Sequence, residues 1–132
     1  MSQEDLEALK VVYANWAVGN FWTPDIFDPD VEVVWADQLP DATRTARGLS
    51  ALETGIRNWL APWDECRWTA DEFIPVRERI LVCFTARGRG KGSNLEVEAH
   101  WAHLWTFRKG KATRLEGFID QAEALEAVGL SG

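Results

Sequence analysis

The sequence predicts an α+β domain in which a curved, mostly antiparallel sheet wraps around helices gathered towards the N-terminus. Two long stretches before Pro62 carry apolar residues at helical spacing, and from Cys66 onward the period falls from 3.6 to 2 through four successive runs. Length adds a bound: 132 residues are enough for one hydrophobic core and too few for two full-sized ones, so residues 1–132 are expected to form a single domain.

Each element has a local reason. Ser2 and Asp5 make a helix-start pair, and Leu6, Leu9, Tyr13 and Trp16 then recur on one stripe until Gly19, which predicts a helix over residues 3 to 18. Thr23-Pro24 opens a short turn through Phe27 that Pro29 closes. In the strand expected over 31 to 37, Val31, Val33, Trp35 and Asp37 share one face. Residues 38 to 49 show no apolar period and read as a loop. Ser50 with Glu53 is expected to form a capping box for a second helix that buries Leu52, Ile56, Trp59 and Leu60.

Strands are expected near 66 to 75, 79 to 87 and 95 to 108, separated by Pro75 and the GRGKGSN loop. Lys109-Gly110 reads as a two-residue hairpin into a last strand over 111 to 119. Asp120 with Glu123 then starts a closing helix that Gly129 stops, with Leu130 as its hydrophobic clasp.

Composition narrows the function classes. The net charge of −7 argues against a broad nucleic-acid surface. No apolar run reaches the roughly 18 residues of a membrane span, and the acidic start MSQEDLEALK does not resemble a secretion signal. A cytoplasmic protein is therefore expected. Cys66 and Cys83 lie in apolar strands without metal-ligand spacing and are expected to be buried free thiols. Eight tryptophans are the compositional oddity, each bringing a large rigid ring and one N–H donor.

The sharpest chemical signal lies in the strand over 95 to 108. Leu95, Val97, Ala99, Trp101, His103, Trp105 and Phe107 share one face, so His103 is the one ionisable group in an apolar row, while Glu96, Glu98 and His100 share the other. Asp37 is the matching group on the face of Val31, Val33 and Trp35. The alternatives are that Asp37 orients the ring while His103 exchanges protons with a ligand, that the two serve as a structural hydrogen bond in the core, or that Asp37 merely begins the following turn. Tyr13, on the buried stripe of the first helix, can donate to a ligand or to backbone. Trp16, Trp35, Trp59, Trp63, Trp101 and Trp105 fall on or beside inward faces and suit either core packing or a pocket for a flat, apolar molecule.

Other candidates are weaker. His100 and His103 point to opposite faces and cannot hold one metal ion, so no metal is expected. The glycines of GRGKG lie between strands and lack the helix N-terminus of a phosphate site. Asp120 is accounted for as a helix cap. Arg114 and Glu116 alternate with Leu115, Gly117 and Ile119, which places them on the face away from a pocket.

The element order, with Trp16-Ala17-Val18-Gly19-Asn20, Phe27-Asp28-Pro29-Asp30-Val31, Arg47-Gly48, the run His103 to Lys111 and the closing Ala124-Leu125-Glu126-Ala127-Val128-Gly129-Leu130, resembles the nuclear transport factor 2-like superfamily. That group includes ketosteroid isomerases and SnoaL-like polyketide cyclases. The resemblance covers nearly the whole chain and implies a cone-shaped α+β barrel, an apolar interior pocket, cofactor-free chemistry and frequent dimerisation through the sheet. Set on Gly110-Lys111, the isomerases' oxyanion-hole Asp falls on His103, their general base on Trp35, and their helix Tyr beside Tyr13. The cyclases' acid/base Asp falls on Gly117. The expected function is either cofactor-free isomerase, cyclase or dehydratase chemistry on a hydrophobic small molecule, with His103, Asp37 and Tyr13 as its polar groups, or non-catalytic ligand binding or dimeric interaction.

Overall fold

The computed structural model describes residues 3–34 and 45–129. The first helix, α1 (Gln3–Trp16), buries Leu9, Val12, Tyr13 and Trp16, a stripe at spacings of three and four. It ends two residues earlier than expected, where the chain turns through Gly19 at φ 91°, a left-handed conformation that glycine adopts without strain. A single 3-10 turn, Pro24–Ile26, follows with proline at its first position.

Strand β1 (Phe27–Val34) begins four residues before the expected start, and the remainder of the expected strand, Trp35 to Asp37, lies outside the described residues. Pro29 is tolerated within it because the ladder to the neighbouring strand is interrupted between Phe27 and Glu32. A second departure is β2 (Thr45–Arg47), which the sequence assigns to a loop. Three polar-flanked residues carry no apolar alternation. They form a strand because the edge of β1 is open to them, through the pairs Glu32 to Arg47, Val33 to Ala46 and Val34 to Thr45, with a 3.2 Å ion pair between Arg47 and Glu32.

Helix α2 (Leu49–Leu60) starts directly after Gly48, which occupies the N-cap position at φ 96°. The expected Ser50–Glu53 capping box therefore does not form: Ser50 is already inside the first turn. Strands β3 (Trp63–Val76), β4 (Arg79–Gly90), β5 (Glu96–Arg108) and β6 (Lys111–Phe118) come next, then α3 (Gln121–Ala127). Lys109 and Gly110 both adopt positive φ, 53° and 79°, between the paired Arg108 and Lys111, as the two-residue hairpin requires. Pro75 lies within β3 rather than in a turn, which is sterically allowed because β3 is an edge strand. The turn itself is made by Arg77 and Glu78, with Arg77 at φ 59°.

The sheet is curved and six-stranded in the order β2-β1-β6-β5-β4-β3, antiparallel except where β1 runs parallel to β6. Strict alternation divides its side chains. Ile80, Val82, Phe84 and Ala86 of β4, with Trp105 and Phe107 of β5, face inward and pack on α1 in the main core. Leu81, Cys83, Ala102 and Leu104 point outward and are buried under Ala124 of α3. The sheet thus has a core on each face. Both cysteines are buried free thiols, as the sequence indicates.

Asp120 caps α3 by accepting from the N–H groups of Ala122 at 2.8 Å and Glu123 at 3.3 Å. Replacing it with alanine removes both bonds and should lower unfolding stability by about 1 kcal/mol, read as a drop in the urea midpoint at unchanged slope.

Candidate functional site

Two elements bring the central groups together. On β5 the inward row runs Trp101, His103, Trp105, and on α1 the buried stripe presents Tyr13 to it across the concave face. Tyr13 Oη lies 2.7 Å from His103 Nδ1 and accepts the Trp105 Nε1–H at 2.9 Å. Tyr13 is 2% exposed and His103 8% exposed.

The surroundings are aromatic. The imidazole stacks on Phe84 with ring centres 4.3 Å apart, and Trp68 and Trp16 stand at 5.4 and 5.7 Å. Such a shell cannot solvate a charge. Burial accordingly lowers the His103 pKa from 6.5 to about 3, so the ring is neutral at physiological pH. Burial pushes the Tyr13 phenol well above its usual 10, against a smaller opposing effect from the Trp105 hydrogen bond, so it keeps its proton.

His103 opens onto a cavity of about 1200 Å³ between α2 and the concave face. Trp16, Trp59, Trp68 and Trp101 line it with Phe84, and among the described lining residues His103 is the buried ionisable one. Arg47, also on the wall, is exposed and paired with Glu32 at 3.2 Å. No carboxylate appears among the described lining residues. Trp16 Nε1 is buried without a hydrogen-bond partner among the described residues. Burial raises the nearby Cys66 thiol to about 11, an effect the Trp68 indole partly offsets.

The sequence-derived candidates separate into groups. His103, Trp16, Trp59 and Trp101 stand on the cavity wall. Tyr13 is in the site but stands behind His103, its Oη bonded to the imidazole Nδ1. Trp105 is 0% exposed and supplies the N–H that anchors Tyr13, rather than cavity surface. Trp63 stacks on Trp59 at 5.6 Å and borders a separate small cavity of about 80 Å³. Trp35 and Asp37 lie outside the described residues.

Sequence reasoning did not single out Trp68 or Phe84, although the alternations Cys66, Trp68, Ala70 and Val82, Phe84, Ala86 carried the signal. Gly117 pairs with His103 across the β5–β6 ladder and also borders the cavity. On the outer face His100 sits beside Thr85, and Arg114 bridges Glu32 and Glu116 at 2.8 and 3.0 Å, away from the cavity as the alternation requires. Among the described residues no cluster of side chains could hold a metal ion, and no helix is long and apolar enough to cross a membrane.

A curved, six-stranded, mostly antiparallel sheet packed on α1 defines a nuclear transport factor 2-like fold. Residues 5–115 match the SnoaL-like domain, and the chain belongs to that family. Solved structures agree in fold. A protein of unknown function from Burkholderia pseudomallei, described as NTF2-like, is 25% identical over 98% of this chain and 99% of its own, with a TM-score of 0.75. TerC, crystallised with polyporic acid, is 23% identical over 96% and 98%, at a TM-score of 0.74. A SnoaL-like polyketide cyclase, so assigned provisionally, from Jannaschia sp. CCS1 is 12% identical over 100% and 98%, at 0.75. No functionally curated protein matches the chain significantly.

The depressed His103 pKa has a thermodynamic consequence with a definite sign. Between about 3 and 6.5 the unfolded chain binds a proton that the folded chain refuses, so stability falls as pH drops through that window. The His103 contribution to the slope approaches about 1.4 kcal/mol per pH unit. Urea unfolding of the wild type and of His103→Leu at pH 7, 6 and 5 should show the wild type losing more stability than the variant as the medium acidifies.

Proposed function

We propose that the chain takes a flat, largely apolar small molecule into the concave cavity and promotes cofactor-free proton transfer on it, in the manner of an isomerase, cyclase or dehydratase. The observation that carries this is the hydrogen-bonded series from Trp105 through Tyr13 to His103, which ends at the wall of a tryptophan-lined cavity. A purely structural buried polar group does not need to border 1200 Å³ of space. In this proposal His103 contacts the ligand's polar atom, Tyr13 positions the imidazole, and Trp16, Trp59, Trp68 and Trp101 hold the ligand's faces. Asp37, three residues beyond the end of β1 in sequence, is the carboxylate that exchanges the proton.

Similarity of fold to polyketide cyclases and to TerC, crystallised with polyporic acid, supports a cyclic organic occupant. The alternative is a binding module that holds such a molecule without transforming it. It is favoured by the absence of a carboxylate among the described lining residues. On either reading the chain works in the cytoplasm as a homodimer, with neither membrane nor nucleic acid as partner, consistent with its charge of −7. Sedimentation equilibrium should return twice the chain mass of 14.9 kDa, and a monomer up to high concentration would remove the dimer.

Tryptophan fluorescence titrated with 1-tetralone, steroid enones and terpenoid ketones should quench saturably. In deuterated water the bound ketone should gain deuterium next to its carbonyl, and His103→Leu or Asp37→Asn should slow that exchange about 100-fold while binding changes much less. Saturable binding without exchange would establish the binding module instead. A flat response to the whole panel would end both versions.

A further inference from the structure

We infer that Trp105 and Tyr13 lock His103 in a single tautomer, with Nδ1 bare and Nε2 carrying the proton, so that the site presents a neutral N–H donor and selects ligands with an uncharged acceptor oxygen, a ketone or enone. This rests on the ligand pocket proposed above and deepens it by fixing the direction of its central hydrogen bond.

Donor counting gives the tautomer. Indole nitrogen can only donate, so at 2.9 Å the Trp105 Nε1–H gives its proton to Tyr13 Oη. The phenol has one proton of its own and, at 2% exposure, is shut off from bulk solvent. Among the described residues the remaining partner is His103 Nδ1 at 2.7 Å. The phenol therefore donates and Nδ1 accepts. The opposite tautomer would aim the Nδ1 proton at an oxygen already receiving one and leave the phenolic proton buried without an acceptor, a loss of about 1–3 kcal/mol. Nothing in the aromatic shell of Phe84, Trp68 and Trp16 offers the ring a charge that would hold a second proton.

The neutral ring then has one proton left, on Nε2, and His103 stands on the cavity wall. An N–H donor in an apolar hollow favours an acceptor that is cheap to desolvate. A carbonyl oxygen meets that condition better than a carboxylate, because the imidazole donor is neutral and Arg47, the cation on the described wall, is already paired with Glu32 at 3.2 Å. When a proton leaves the carbon beside such a carbonyl, the electron pair moves onto oxygen, and the Nε2–H bond to that oxygen strengthens without any proton having to move from His103. Tyr13 and Trp105 are positioning residues in this scheme, since each acts through the imidazole.

The chain makes the test clean, because it holds one tyrosine and two histidines. Two-bond proton–nitrogen NMR of the ligand-free, 15N-labelled protein, with His100→Gln to assign the signals, should show His103 Nδ1 as an unprotonated nitrogen and Nε2 as a protonated one from pH 7 to pH 5. A protonated Nδ1, or the averaged tautomers of a free imidazole, would overturn the inference. Incorporating 3-fluorotyrosine, which alters Tyr13 alone and makes it a stronger donor, should shift Nδ1. Tyr13→Phe, where it folds, should give mixed tautomers. An unmoved Nδ1 under fluorotyrosine would also overturn it. Adding 1-tetralone should move the Nε2 proton downfield, and binding detected by fluorescence with that proton unmoved would rule out the donor role. Failure of 1-tetralone to bind would count against the pocket, and the ligand-free spectrum would decide the tautomer by itself.

Discussion

Three polar side chains share one hydrogen-bonded line through an otherwise apolar core, and the placement of α1 on the sheet depends on it. Trp105 and His103 belong to β5 and Tyr13 to α1, so the two bonds of 2.9 and 2.7 Å tie a helix to a strand some ninety residues away. Apolar packing alone tolerates sliding, because leucine and phenylalanine can exchange neighbours at small cost. A buried donor cannot, since any shift that separates it from its acceptor costs about 1–3 kcal/mol for each orphaned group. The line therefore sets the register of α1, and with it the position of Trp16 three residues further along the same stripe on the cavity wall.

The two-sided use of the sheet follows from alternation in β4 and β5. Their inward residues build the floor of the cavity and the bed for α1, while Leu81, Cys83, Ala102 and Leu104 would leave an apolar outer face if α3 did not cover it. The Asp120 cap fixes where α3 begins and so where this cover lies. Beyond its reach the outer face turns charged, with Arg87, Arg89, Glu65 and Glu98 in mutual ion pairs, which is how an exposed sheet surface stays hydrated.

How far the sequence revealed this differs by level. Period and turn chemistry located three helices and the strands of the main sheet, because those signals are local: the stripe through Leu9, Tyr13 and Trp16, the Lys109-Gly110 hairpin, the Asp120 cap. Alternation in β5 likewise isolated His103 on an apolar face. What it could not give was the partner. Alternation tells which face a side chain takes, not which residue stands opposite it, and that depends on how far α1 lies along the strands. Tyr13 and Trp105 were both legible as buried, and neither was legible as a link to Nδ1. Strand β2 escaped for a related reason. Three residues pairing with an open edge need no pattern of their own.

A residue suited to moving protons near neutral pH has a pKa close to 7, and His103 sits near 3. The aromatic shell that holds the ring in place is what removes its basicity. His103 is therefore better matched to stabilising charge on a ligand oxygen than to accepting a proton from carbon, and any such reaction must divide the work between the floor of the cavity and a base from elsewhere in the chain. The described wall of α2, β1, β4, β5 and β6 supplies no carboxylate. In sequence, the segment between β1 and β2 supplies Asp37. The glycine at position 117 fits that division: opposite His103 in the β5–β6 ladder and also on the cavity wall, it places no side chain of its own beside the ring.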